Sequence, residues 1–397
     1  MSATKLNPAP SSTSPHGSSA DFAAPWAPIV GQCARGADRV LFALSRQERD
    51  LFFPRLSDAD LGNLGGWVDT TNLRALAAAS PVEGGASPWL RLLRHVRPTV
   101  LVSAWTTPML PEEWTREHDL PLRYVCHLTG SVRGLVRRGV IERGVMVSNW
   151  GSTISHTIAE HAMMLVLNML RNVPAWFPHY SPVPGNVSGK GQVLGTRSLR
   201  GRRVGLHGFG AIARELVAML RPFQVDLAAW SPGVPRALYE EFGVTPLDSL
   251  EELFERSDVL IECEGLTPTT AGSVTEAVLR RLPEGAVFVN IGRAAVTDET
   301  AVLRLAAEGR IRAALDVYND AAVAEVFGDT AVPDPLAPPG TRLTGPPLPV
   351  MLSPHLAGPT PDACPRSGDF ALDNLERYFR GDKPGALISL EVYDRST

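Results

Sequence analysis

The chain has 397 residues, 44% of them hydrophobic and 20% charged, which is material for two packed cores in a globular protein. With 38 basic against 42 acidic residues the formal charge is -4, and no cluster of Lys and Arg marks a phosphate-backbone partner, so the balance argues against nucleic acid. Cys33, Cys126, Cys263 and Cys364 lie far apart with no C-x-x-C spacing, so neither a disulfide framework nor a zinc site is expected and a reducing cytoplasm is the predicted location.

In chain order, residues 1–25 open on MSATKLNPAPSSTSPHGSSA, rich in Ser, Thr and Pro, and read as a disordered tail rather than a signal peptide. RVLFAL (39–44), TVLVSAW (99–105) and RYVCHL (123–128) are short β-rich runs separated by helical patterns. That alternation predicts a parallel sheet with crossover helices. HTIAEHAMMLVLNMLRN (156–172) is a long apolar helix, but its most apolar stretch, Ala162 to Leu170, is far short of the roughly 20 residues that span a bilayer, so no membrane partner is expected. A Pro/Gly-rich loop over 174–195 follows, and a second βα series begins near Arg202, with DVLIEC (258–263), AVFVNIG (286–292) and IRAALDVY (311–318) as strands. The last helix, 369–380, sets Ala371, Leu375, Tyr378 and Phe379 at i, i+4, i+7 and i+8 with Gly381 as terminator, and is expected to pack on the first domain. The fold class is α/β, with two doubly wound parallel-sheet domains.

RRVGLHGFGAIARELVAML (202–220) reads as a strand, a G-x-G-x-x-A turn and an amphipathic helix. Gly208 permits the tight turn, Gly210 lets backbone approach a pyrophosphate, and Ala213 lets helix and strand pack closely. Gly208, Phe209, Gly210, Ala211 and Ile212 are therefore the candidate cofactor-binding residues, with the helix N-terminus as anion site. A plain βα connection is the competing reading of the same glycines. The next strand, VDLAAW, ends at Ser231, where a site for NAD usually offers a carboxylate to the adenosine ribose. Ser there, with Arg236 a few residues on, leaves NAD or NADP open as the cofactor.

VFVNIGRAAVTDETAVLRLAAEGRIRAALDVY, MLSPHLAG and ERGVMVSNWGSTISHTIAEHAMMLVLNMLR join GLHGFGAIA in a recognisable order. Together they resemble the D-isomer-specific 2-hydroxyacid dehydrogenases over roughly 125–381. The resemblance implies a flavodoxin-like substrate domain (26–151, completed by 355–397), a Rossmann cofactor domain (152–354) and a cleft between them. It implies that Arg293 grips the carboxylate and ketone of a small 2-oxo or D-2-hydroxy acid and that His355 is the acid/base, roles that suit a planar guanidinium and an imidazole with an ordinary pKa near 6.5. Asp316 matches the aspartate that binds the nicotinamide carboxamide, Gly130 and Ser131 the loop whose amides hold the substrate carboxylate, and a homodimer is the family's common state. At the position of the family's carboxylate partner for the histidine stands Ala321, and residues after Tyr318 look inserted. Asp334, in PDPL, is the candidate displaced partner; Asp320, or no partner, are the alternatives.

Glu160 and His161 are read as helix packing, and His207 as a packed strand end. His156 and His161, at i and i+5, do not share a helical face, so no metal is expected. The competing function is a dinucleotide-sensing protein of the corepressor kind, with little or no catalysis.

Overall fold

The computed structural model describes residues 34–35, 38–71, 73, 87–176, 195–328 and 350–395. The tail over 1–25, most of the Pro/Gly-rich loop and Asp334 lie outside the described residues. The chain forms two compact units, one made of the residues up to Arg46 with Arg55–Tyr124, the other of Gln47–Pro54 with the residues from Val125 onward.

In the first unit β2 (Asp38–Leu44) pairs in parallel with β3 (Gly66–Asp69) and β4 (Val100–Ser103), and antiparallel with β1 (Ala34–Arg35). Val40 to Leu44 and the whole of β4 are buried, as befits strands covered on both faces. Helix α1 (Pro88–Val96) starts where Ser87 accepts a hydrogen bond from Leu90 N and where Pro88 occupies the first turn. Its buried Trp89, Leu90, Leu92, Leu93 and Val96 are the apolar stripe that holds it to the sheet unit.

The second unit contains β5 (Tyr124–His127) from Val125, β6 (Met146–Ser148) and a seven-stranded sheet. That sheet comprises β7 (Arg203–His207), β8 (Asp226–Trp230), β9 (Thr245–Pro246), β10 (Val259–Glu262), β11 (Ala286–Asn290), β12 (Ile311–Leu315) and β13 (Val350–Leu352). The order is β13-β12-β11-β10-β7-β8-β9, parallel throughout. Alternation divides its side chains between two cores. Val204, Leu206, Val259, Ile261, Val287 and Val289 face one with helices α2 (Ser155–Leu170) and α3 (Ala211–Leu220). Leu260, Ala286 and Phe288 face the other with α4 (Leu250–Arg256) and α5 (Glu299–Ala307). Each face is covered, so the sheet is doubly wound, and the chain order reverses at β7, between β10 and β8.

The apolar stretch 162–170 is part of α2, which buries Ala162, Met163, Leu165, Val166, Met169 and Leu170. Among the described residues no helix is long and apolar enough to cross a membrane. The last long helix, α7 (Cys364–Arg380), is preceded by α6 (Asp320–Phe327) and ends at Gly381 in the left-handed region, as its sequence predicts. It carries the C-terminal residues back to β5 and β6: Cys126 Sγ lies 3.9 Å from the Ala371 carbonyl, and Ile388 N donates to the Val147 carbonyl at 2.7 Å.

Candidate active site

The turn after β7 is built as the glycine spacing predicts. Gly208 has φ +94, and a Cβ there would stand 2.7 Å from Glu264 N, so only glycine lets the end of β7 lie against the end of β10. Phe209 turns inward, buried, and stacks on Tyr239 at 4.5 Å. Gly210 caps α3 without a side-chain hydrogen bond, and space for a Cβ at Gly210 is empty to 4 Å. Gly210, Ala211 and Ile212 thus present an uncapped helix start beside open space. A phosphate group fits such a place, since the first-turn amides and the helix dipole favour an anion there.

Ser231 follows β8 at the neighbouring strand end, and its hydroxyl donates to Glu264 Oε2 at 2.6 Å. A carboxylate is therefore present where the sequence of β8 shows none; it is delivered by the strand on the other side of β7. Arg236, the cation closest in sequence, is engaged by Asp248 at 3.0 Å. Beneath the turn His207 and Glu262, both wholly buried, form an ion pair through Nδ1 and Oε2. Burial alone would lower the His207 pKa, but the charge and hydrogen bond of Glu262 outweigh it and the imidazole is raised above its usual value.

The second constellation gathers at the ends of β11 and β12. Asn290 accepts from Gly292 N at 3.0 Å, fixing the turn that delivers Arg293, whose Nη1 donates to the Gly292 carbonyl at 2.8 Å. Burial lowers the Arg293 pKa from its ordinary value, yet a guanidinium keeps its charge in proteins. Asp316, 1% exposed, accepts from Ser353 Oγ at 2.7 Å, Leu356 N at 2.8 Å and Ala357 N at 3.0 Å, and lies 3.4 Å from His161 Nε2. Although burial pushes the carboxyl upward, these donors, His161 and Ser353 foremost, hold Asp316 below its usual range. The carboxylate thus ties down the loop carrying His355, whose N–H donates to the Asp316 carbonyl at 2.9 Å.

His355 itself has φ +55, a left-handed conformation that costs a non-glycine residue about 1–2 kcal/mol. The cradle around Asp316 is what sustains it. Strain of this kind concentrates where a side chain must be aimed.

Arg293, Asp316, Tyr318, Asp320 and His355 share the walls of one cavity of about 340 Å³, a volume suited to a small ligand. Two motif residues 62 positions apart are thereby brought to one space. Asp320, at the start of α6, is the second carboxylate on that cavity, beside Asp316; among the described residues the His355 ring has no hydrogen-bond partner. Gly130 and Ser131 lie outside these walls, in the loop after β5. There Asn149 Nδ2 donates to the Gly130 carbonyl at 2.7 Å, and a Cβ on Gly130 would meet the Trp150 ring at 3.1 Å.

Several of these partners are absent from the sequence reading. Glu262, Glu264 and Ser353 carry no local signal, because each acts across strands. His161, read as helix packing, hydrogen-bonds Ser353 at 2.9 Å and so belongs to the cradle under His355.

Residues 163–357 match the family described as D-isomer specific 2-hydroxyacid dehydrogenase, NAD binding domain. The chain is 26% identical over 250 residues to a D-3-phosphoglycerate dehydrogenase of Methanocaldococcus jannaschii, a match covering 63% of this chain and 44% of the relative. It is 29% identical over 240 residues to a glyoxylate/hydroxypyruvate reductase of Arabidopsis thaliana, covering 60% of this chain and 67% of the relative. The chain therefore spans less than half the length of the phosphoglycerate dehydrogenases it matches. In fold it resembles a phosphoglycerate oxidoreductase from Rhizobium etli, with a TM-score of 0.61 at 22% identity over 88% of this chain and 97% of that one.

Proposed function

We propose that this chain, whose residues 163–357 match the NAD-binding domain of the D-isomer specific 2-hydroxyacid dehydrogenases, reduces a small 2-oxo acid and oxidises the matching D-2-hydroxy acid with NAD or NADP. The observation that carries this reading is the single cavity walled by both Arg293 and His355. The bound nicotinamide supplies or accepts the hydride. Arg293 pairs with the substrate carboxylate and stabilises negative charge as it develops on the ketone oxygen, with greater effect for being largely removed from water. His355 gives its proton to that oxygen, or takes it back from the hydroxy acid in the reverse direction. Asp320, on the same cavity wall, is the acid we assign as partner to His355; Asp334, outside the described residues, is the alternative. Asp316 holds the His355 loop and borders the same space, which suits a contact to the carboxamide. Gly130 and Ser131 are assigned to the substrate carboxylate.

On this reading residues 26–151, completed by 355–397, are the substrate domain and 152–354 the cofactor domain. Met164 and Leu167, large apolar side chains exposed on α2, support homodimerisation through that helix, and the free cysteines Cys126, Cys263 and Cys364 suit a reducing cytoplasm. That the His355 ring has no hydrogen-bond partner among the described residues favours one competing reading, a dinucleotide sensor with little turnover.

The test is cofactor oxidation with a panel of glyoxylate, hydroxypyruvate, pyruvate and phenylpyruvate. His355→Gln is expected to lower kcat about 10²–10⁴-fold, and Arg293→Gln to raise KM as well as lower kcat. Tight binding of the dinucleotide with no turnover of any acid would establish the sensor instead.

A further inference from the structure

We propose that Glu264 is the ribose-recognising carboxylate of this site and makes it select NAD(H) over NADP(H), an inference that rests on the dinucleotide reading above. In a Rossmann unit the adenosine ribose sits at the end of the strand that follows the glycine-turn helix, and selection for NAD normally comes from a carboxylate at that strand end. Here the strand is β8 and the residue after it is Ser231.

Ser231 Oγ donates to Glu264 Oε2 at 2.6 Å, so the hydroxyl at the expected ribose position holds a carboxylate there. The second oxygen, Oε1, accepts from Gly265 N at 2.9 Å, while Glu264 N donates to Glu262 Oε1 at 2.8 Å. Both the side chain and its backbone are fixed. Glu264 is only half-buried, and a carboxylate has about four acceptor sites, so capacity remains for ribose hydroxyls.

Sheet order explains how a residue from β10 serves a site normally completed by β8. Both strands border β7, and the missing side chain of Gly208 lets the Glu264 backbone close onto the turn. A 2′-phosphate on the ribose would be pressed against this carboxylate. The obvious counter-charge, Arg236, stands on the next helix paired with Asp248. The charge of Glu264 is also felt inward, contributing to the raised pKa values of His207 and Tyr239.

Titration calorimetry of NADH and NADPH against the full chain tests this without any turnover. The wild type is expected to bind NADH about 30-fold or more tighter than NADPH, and Glu264→Gln to shrink that ratio by about tenfold. If both dinucleotides bind and the ratio is unchanged in Glu264→Gln, or if the wild type prefers NADPH, the assignment of Glu264 is overturned while the dinucleotide reading stands. If folded wild-type protein binds neither, the dinucleotide reading falls. The wild-type ratio needs no substitution, so a variant that misfolds leaves the test in force.

Discussion

β5 and β7 each end in a buried histidine that leads into a loop assigned above to ligand binding, and the two imidazoles are held in opposite ways. His127 is hydrogen-bonded to the Thr129 hydroxyl at 2.6 Å and to the Ser131 backbone; burial pushes its pKa down to about 4. His207 has Glu262 on Nδ1, and desolvation that would lower its pKa is overcome by the acid's charge and hydrogen bond. Same residue type, same place on a strand, same burial: the partner decides whether the ring is neutral or charged. The first arrangement fastens the Gly130–Ser131 loop without burying charge, whereas the second places an ion pair directly beneath the glycine turn.

The strongest way to break this contrast is to remove one member of the pair. Glu262→Leu strands His207 in an apolar interior where its Nε2 already lacks a hydrogen-bond partner among the described residues, and should cost about 3–5 kcal/mol in urea unfolding. The double change His207→Leu with Glu262→Leu should recover most of that loss, because two apolar groups need no mutual compensation, and fall short of the wild type by the hydrogen bond that Glu264 N makes to Glu262. Equal destabilisation of the single and double variants would show that shape, and not charge, holds this strand end.

Acid titration sharpens the comparison. The His127 pKa is depressed in the fold, so its contribution is complete above the unfolded value of 6.5 and is lost as pH falls toward about 4. At 1.36 kcal/mol per unit, the loss is about 3 kcal/mol. His207 runs the other way: its raised pKa gives stability that is complete below 6.5 and lost as pH rises through the folded value. Subtracting the stability–pH curve of His127→Gln from that of the wild type isolates the first effect from the carboxylates that titrate over the same range. A flat difference between pH 6.5 and 4 would refute the neutral assignment of His127.

What the sequence made legible follows the same division between local and non-local causes. The glycine turn, the buried strand runs and the Gly381 helix stop are local, and their residues declare themselves by spacing. Arg293 and His355 were found through motifs, and the cavity they share is formed because β11, β12 and β13 are neighbours. Glu262 and Glu264 were illegible, because within DVLIECEG nothing tells that β10 will lie beside β7, 55 residues earlier. Only that adjacency turns one glutamate into the counter-ion of His207 and the other into the partner of Ser231. Asp316 was legible as a functional position, but its grip on Ser353, Leu356 and Ala357 depends on a segment about 40 residues downstream.

The smallest change separates building the turn from using it. Gly208→Ala places a side chain at φ +94 and 2.7 Å from Glu264 N; the left-handed backbone alone costs about 1–2 kcal/mol and the contact adds to it. Gly210 has φ -82 and open space around its Cβ position, so Gly210→Ala should alter stability by only about 0.5 kcal/mol, the weaker helix cap being offset by a less flexible unfolded chain. Yet the same methyl group enters the space where a pyrophosphate would approach the backbone, and dinucleotide affinity should fall. Urea unfolding together with calorimetry distinguishes the two glycines: the first should lose stability and binding together, the second binding alone. A Gly210→Ala protein that binds NADH as well as the wild type would mean that the phosphates do not lie against this helix start, and that the opening beside Gly210 serves some other contact.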